Sequence, residues 1–129
     1  MKKISQLDLI ESSPSYEEIK KLPRQPVRVL LENVRSLYNV GSIFRTSDAA
    51  GVEKIYLCGI TGKPPRAEIN KAALGAEKSV PWEYHQQAID IIKLLKKEGF
   101  KIVVLEHTDQ KQKYFQAQYE FPLCLVVGH

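Results

Sequence analysis

Residues Val27 to Gly51 read VRVLLENVRSLYNVGSIFRTSDAAG, and a change of period inside this stretch decides the fold. Val27 to Leu31 is an apolar, β-branched run interrupted only by Arg28, the composition of a strand buried in an α/β sheet. From Val40 to Ala50 the repeat switches. Val40, Ile43, Phe44 and Ala50 fall near one side of a helix turning about 100° per residue. Asn39 stands where an N-cap is expected and Gly51 where a C-terminal stop is expected. A strand that feeds directly into a helix is the opening half of a βαβ unit.

The alternation continues downstream. Lys54 to Cys58 reads as a second strand, followed by an irregular loop rich in turn formers: Gly59, Thr61, Gly62, Pro64 and Pro65. Arg66 to Leu74 is a short helix, and Gly75 to Pro81 is an irregular stretch closed by Trp82 and Tyr84. Gln86 to Glu98 is the clearest helix, with Ala88, Ile91, Ile92 and Leu95 on one face, lysines on the other and Gly99 as its stop. Phe100 to Leu105 is a strand. A polar segment with a helical turn around Tyr114 to Gln118 then leads to a last strand, Pro122 to Val127. Such alternation predicts an α/β fold, a mostly parallel sheet flanked by helices. Upstream, residues 1–26 form an N-terminal arm. It holds one short helix, Tyr16 to Leu22, which Ser15 caps and which Pro23 and Pro26 separate from the rest.

A chain of 129 residues with 43% hydrophobic side chains can bury one core, so one domain is expected. The net charge of +4 leans mildly toward polyanionic partners. Cys58 and Cys124 each sit inside an apolar run, where a thiol behaves as a small core residue. With no CxxC and no Cys/His cluster, neither a metal site nor a disulfide framework is indicated, and the compartment reads as reducing. No run approaches the roughly 18 apolar residues of a membrane span, and the N-terminus lacks a signal-peptide core, so a cytoplasmic protein is expected.

In open α/β sheets, ligands settle outside the carboxyl ends of the strands. Here those ends are Glu32 to Asn39, Gly59 to Lys63, Glu106 to Asp109, and Gly128 to His129, and the first carries the richest side chains. Gly41 and Ser42 let another backbone or a phosphate approach the helix start. Arg45 projects away from the Val40/Ile43/Phe44 side, either toward a ligand or as an i,i+3 ion-pair partner of Asp48. Asn39 can cap the helix, face a ligand, or do both.

The pattern N-x-G-x-x-x-R-T-x-x-A-x-G from Asn39 to Gly51, directly after a strand, closely resembles the first signature motif of the SpoU (TrmH-like) family in the SPOUT methyltransferase superfamily. Ala73 to Trp82, ALGAEKSVPW, resembles that family's loop before its next strand. Phe121 to Gly128, FPLCLVVG, resembles the strand opening its second motif. These ordered matches cover residues 27–129 and leave 1–26 outside.

The resemblance implies a SPOUT-like α/β knot and methyl transfer from S-adenosylmethionine to a ribose 2'-hydroxyl of tRNA or rRNA by a homodimer. Arg45 and Asn39 match the motif-one arginine and asparagine, the implied catalytic pair. Leu105 to Thr108 and Gly128 match the cofactor loops; for Gly128 alone, ending a strand is the competing reading. An arginine is a poor base, so Arg45 is expected to hold a phosphate rather than take a proton. Lys63, Arg66, Lys71 and Lys78 either track an RNA backbone or form a solvated face, and no aromatics interleave with them as a stacking platform would. His107 and His129 receive no role.

After Gly128 and His129 the family's second-motif glutamate, its next helix and its third motif do not follow, so the knot-forming C-terminal part is expected to be missing and residues 27–129 to be a partial domain. A fragment is favoured over a natural short protein. The competing readings are a non-catalytic RNA-binding or dimerising module and, behind it, an unrelated α/β domain using Asn39 to Gly51 only for packing.

Overall fold

At the centre of the sheet runs β1 (Gln25–Glu32), whose Leu30 and Leu31 are both wholly buried because successive side chains point to opposite faces and both faces are covered. The computed structural model describes residues 24–105 and 120–128. The expected helix at Tyr16 to Leu22, the turn at Tyr114 to Gln118, and Thr108, His107 and His129 lie outside the described residues.

β1 is followed by α1 (Leu37–Ala50), β2 (Val52–Cys58), α2 (Ala67–Ala73), the single turn α3 (Ala76–Ser79), β3 (Trp82–His85), α4 (Ala88–Lys97), β4 (Lys101–Leu105) and β5 (Leu123–Gly128). The strands form one sheet in the order β3-β2-β1-β5-β4, every neighbouring pair parallel. The expected parallel α/β architecture is therefore present. Val29 and Leu31 of β1 join Ile55 and Leu57 of β2 under α1, α2 and α3, with Phe44, Ile69 and Val80 filling that layer. Leu30, Tyr56, Cys58, Cys124 and Val126 point the other way, against Ala88, Ile91 and Leu95 of α4. Each fully buried Leu, Ile or Phe stabilises the fold by roughly 1.5–3 kcal/mol. Arg28, the charge inside β1, faces the second layer. Its guanidinium donates to Glu53 at 2.5 Å and to the Tyr56 hydroxyl at 2.7 Å, and lies 4.7 Å from the centre of the Phe100 ring.

Four local expectations change. The cap of α1 is Ser36, not Asn39: the Ser36 Oγ accepts from the Asn39 amide at 3.1 Å, so Asn39 falls inside the first turn. The buried stripe of α1 is Val40, Gly41, Phe44 and Ser47, while Ala50 is exposed, since it has turned roughly 80° away from Val40. Asp48 pairs with Arg24 at 3.0 Å rather than with Arg45, tying the end of α1 to the residue that precedes β1. The stretch 75–81, expected to be irregular throughout, contains α3, which is too short to leave a period in the sequence. Gly51 does end α1, at φ 74°.

Gly41 also resolves the question of what approaches the start of α1. A Cβ there would lie 2.5 Å from the Ile69 carbonyl oxygen and 2.7 Å from the Ala72 Cβ, so the close neighbour is the backbone of α2. Gly41→Ala is expected to lower unfolding stability by about 1–3 kcal/mol through overpacking, read from urea denaturation. A change within about 0.5 kcal/mol, as at an ordinary surface position, would contradict this packing.

Both cysteines are free and buried. Burial pushes the Cys58 thiol up to about 11, with Glu32 adding to the rise, and the Cys124 thiol up to about 12. The native state thus favours the neutral thiols. Their contribution is complete below the reference value of 9.0 and is lost as pH rises through about 11 and about 12. Iodoacetamide at about pH 8 is expected to label neither cysteine in the folded protein and both in urea. Rapid labelling of the native protein would contradict the burial.

Candidate functional site

Because β1 hands the chain to β2 on one side and pairs with β5 on the other, the carboxyl ends of β1 and β5 bound the crevice where an open α/β sheet takes its ligand. An open cleft of about 410 Å³ lies there. Asn33, Val34, Arg35 and Ser36 from the loop after β1 form one wall, with Asn39, Ser42 and Ile43 of α1; Val127 and Gly128 of β5 form the other. Two other clefts are slightly larger. One, of about 510 Å³, lies beside Lys96 and Phe100 at the opposite edge, where no strand ends in polar side chains. The other, of about 480 Å³, lies at the start of α4, beside Glu32, Gly59, Tyr84 and Gln86.

The loop holding the first wall is fixed from both sides. Asn33 adopts φ 55° with its amide donating to the Cys58 carbonyl at 3.2 Å, and its Oδ1 accepts from the Ile60 amide at 3.0 Å. The Thr61 hydroxyl, 3% exposed, accepts from the Val34 amide at 3.0 Å and donates to the Leu31 carbonyl at 3.2 Å. The Tyr84 hydroxyl donates to the Gly59 carbonyl at 2.5 Å, steadying the second loop from β3. The loops after β1 and β2 therefore form one hydrogen-bonded unit, and Asn33 bears its left-handed backbone as Asn tolerates better than most residues.

The expected site residues fall into groups. Asn39 and Gly128 meet at the cleft. Leu105 ends β4 opposite Val127, and Glu32 stands opposite Gly128, so three strand ends line up. A Cβ on Gly128 would lie 2.8 Å from the Glu32 carbonyl oxygen, so packing against β1 already requires glycine there, whatever else it does. Arg45 is exposed one turn past Ser42, and its side chain makes no hydrogen bond or ion pair with another described residue. Lys63 and Arg66 are exposed on the loop that leaves the same edge after β2, the Lys63 ammonium 4.3 Å from the centre of the Tyr84 ring. Lys78 is set apart. Its neighbour Ser79 accepts from Arg24 at the start of β1, which puts α3 at the other edge of the sheet. No group of three or more metal-binding side chains gathers among the described residues.

Two contributors escaped the sequence reading. Arg35 lines the cleft, and its signal was its place in the segment after the first strand, Glu32 to Asn39, where it was given no role of its own. Thr61 gave none, because its bonds span 27 and 30 positions.

The profile of the SpoU rRNA Methylase family matches residues 26–129. The tRNA (guanosine(18)-2'-O)-methyltransferase of Thermus thermophilus is 28% identical over 112 residues, covering 87% of this chain and 57% of that protein. The crystal structure of the A. aeolicus TrmH/SpoU tRNA modifying enzyme superposes with a TM-score of 0.73 at 26% identity, over 86% of this chain and 56% of that one. An AdoMet-bound rRNA methyltransferase from Sinorhizobium meliloti gives 0.67 at 26% identity, over 84% and 42%. The chain spans about half the length of the curated relatives it matches.

Thr61→Val keeps the shape and removes the hydroxyl, leaving the Val34 amide and the Leu31 carbonyl without their partner. It is expected to cost about 1–3 kcal/mol in urea denaturation, with Thr61→Ser largely sparing stability. Equal stability of the valine variant and the wild type would show that the loop is held some other way.

Proposed function

Because the chain belongs to the SpoU rRNA methylase family, we propose that it carries the RNA-facing part of an S-adenosylmethionine-dependent ribose 2'-O-methyltransferase acting on tRNA or rRNA. The observation that carries this reading is the convergence of Asn39 from α1 and Gly128 from β5 on one cleft at the sheet's switch point.

The cleft suits the methyl donor. Its volume of about 410 Å³ falls in the range of small-molecule sites, and its lining mixes apolar Ile43 and Val127 with the amides of Asn33 and Asn39. Leu105, Val127 and Gly128 would hold the cofactor along adjoining strand ends, and the family resemblance adds Thr108, which lies outside the described residues. When bound, S-adenosylmethionine supplies an electrophilic methyl group on a sulfonium centre.

Arg45 acts as a cation with a planar fork of donors, suited to a phosphate oxygen pair. It orients the ribose by holding the neighbouring phosphate. Its only α1 carboxylate, Asp48, is engaged by Arg24, which leaves the guanidinium available to RNA. Asn39, its backbone amide already used by Ser36, keeps a side-chain amide at the cleft that can both donate to and accept from a ribose hydroxyl. Lys63 and Arg66, exposed at the same edge, serve as backbone-positioning contacts, as does Lys78 farther round the surface. A homodimeric assembly and a cytoplasmic setting belong to the same proposal. No helix among the described residues is long and apolar enough to cross a membrane.

The test is transfer of a labelled methyl group from S-adenosylmethionine to tRNA or rRNA, with the modified nucleosides identified after digestion. Arg45→Ala is expected to lower transfer by about 100-fold or more while leaving S-adenosylmethionine affinity unchanged. Transfer at the wild-type rate would return Arg45 to an ordinary surface residue. RNA binding without any transfer, both by these 129 residues and by a chain extended past His129, would favour a non-catalytic binding module.

A further inference from the structure

Tyr38, in the first turn of α1, is 67% exposed, more than any other large hydrophobic side chain among the described residues. At about 100° per residue, Tyr38, Ser42 and Arg45 fall within roughly 60° of one another, forming a single row along the helix. Tyr38 and Arg45 are then about 10 Å apart along the axis, with the small Ser42 between them. Ser42 also lines the cleft, as does Asn39 beside Tyr38. The sequence showed no aromatics among the lysines of 63–78, but on α1 the fold sets an aromatic ring and a guanidinium on one exposed stripe.

The charge of the stripe favours a polyanion. Asp48 is the only carboxylate in α1, and Arg24 neutralises it at the far end, while Arg35 adds a second exposed cation at the cleft. A tyrosine ring offers a flat face at little conformational cost, and every base has a matching π-face.

We propose that Tyr38 is a stacking platform for an unpaired base of the RNA, with the adjoining ribose lying over Ser42 at the cleft and the phosphate on Arg45. This rests on the methyltransferase reading above and adds a residue outside the motif pattern. It also narrows the ligand: a base held in a duplex has both faces covered, so the platform selects single-stranded or extruded nucleotides.

The experiment measures binding of the 129-residue protein to a fluorescently labelled single-stranded oligoribonucleotide, and to the same strand annealed to its complement, across a salt series. Tyr38→Ala and Tyr38→Leu are expected to weaken single-strand binding about 10-fold, the size of one lost base stack. Tyr38→Trp should preserve it, and duplex binding should be unaffected in all three. Tyr38→Ala should leave the salt dependence unchanged, whereas Arg45→Ala should lower its slope by about one. An exposed position leaves the thermal midpoint in place. Single-strand affinity unchanged in Tyr38→Ala, while Arg45→Ala still weakens it, overturns the platform and leaves the methyltransferase reading standing. Failure of the wild type to bind RNA at all overturns both. A shift in sedimentation mass for Tyr38→Ala without a loss of RNA affinity overturns the platform in favour of a contact between two copies of the chain.

Discussion

The parallel pairing of β1 on both sides governs the rest of the molecule. With β2 on one flank and β5 on the other, every strand of the sheet delivers its carboxyl end to the same edge, and the described crossovers place α1 on one face and α4 on the other. That geometry is why the loops after β1 and β2, the start of α1 and the glycine that ends β5 can form one site although up to 95 positions separate them in the chain. It also explains the composition of β1. Leu30 and Leu31 need apolar cover on opposite sides, and a charge such as Arg28 is tolerated only because Glu53, Tyr56 and the Phe100 ring receive its guanidinium.

Site precision then depends on a small polar network rather than on the core. Thr61 and Asn33 bind the two loops to each other through main-chain groups, so the wall formed by Arg35, Ser36 and Asn39 is part of a rigid unit even though most of its side chains are exposed. Buried hydroxyls and amides of this kind contribute little net free energy when paired and are expensive when left unpaired. Their value lies in fixing one arrangement. The Ser36 cap acts the same way one step further on, because by taking the Asn39 backbone amide it sets where α1 begins and hence which side chains face the cleft.

Most of the architecture was legible because it follows from period. The change from a compact apolar strand to a helical repeat at Val40, the lysine-backed face of Gln86 to Glu98, and the apolar runs ending at Cys58 and Val127 each report burial on a known geometry. Local chemistry was less legible. Ser36 and Asn39 both make good caps, and only the backbone shows that the serine is used. Asp48 had a plausible partner three residues away, yet the fold supplied Arg24 from 24 positions away, which no helical rule contains. Thr61 joined the site through tertiary contacts that leave no trace in spacing. Asn39 and Arg45 were singled out through the family motif, and from pattern alone each had an ordinary structural role; Asn39 lines the cleft.

The site's electrostatics are simple: exposed Arg35 and Arg45, with Lys63 and Arg66 along the same edge, beside a cleft whose own lining carries no carboxylate. Exposed guanidinium and ammonium groups of this kind favour an anionic partner, and Ile43 and Val127 give the cleft its apolar lining. The central claim is that this cleft, and not the clefts beside Phe100 or at the start of α4, is where the methyl donor meets the protein. Amide chemical-shift mapping of the isotope-labelled protein with S-adenosylmethionine tests it most directly. The account predicts shifts concentrated at Val127, Gly128, Leu105 and the Asn33 to Asn39 segment. Shifts confined to Lys96 through Lys101, or to Gln86 and Gln87, would contradict it.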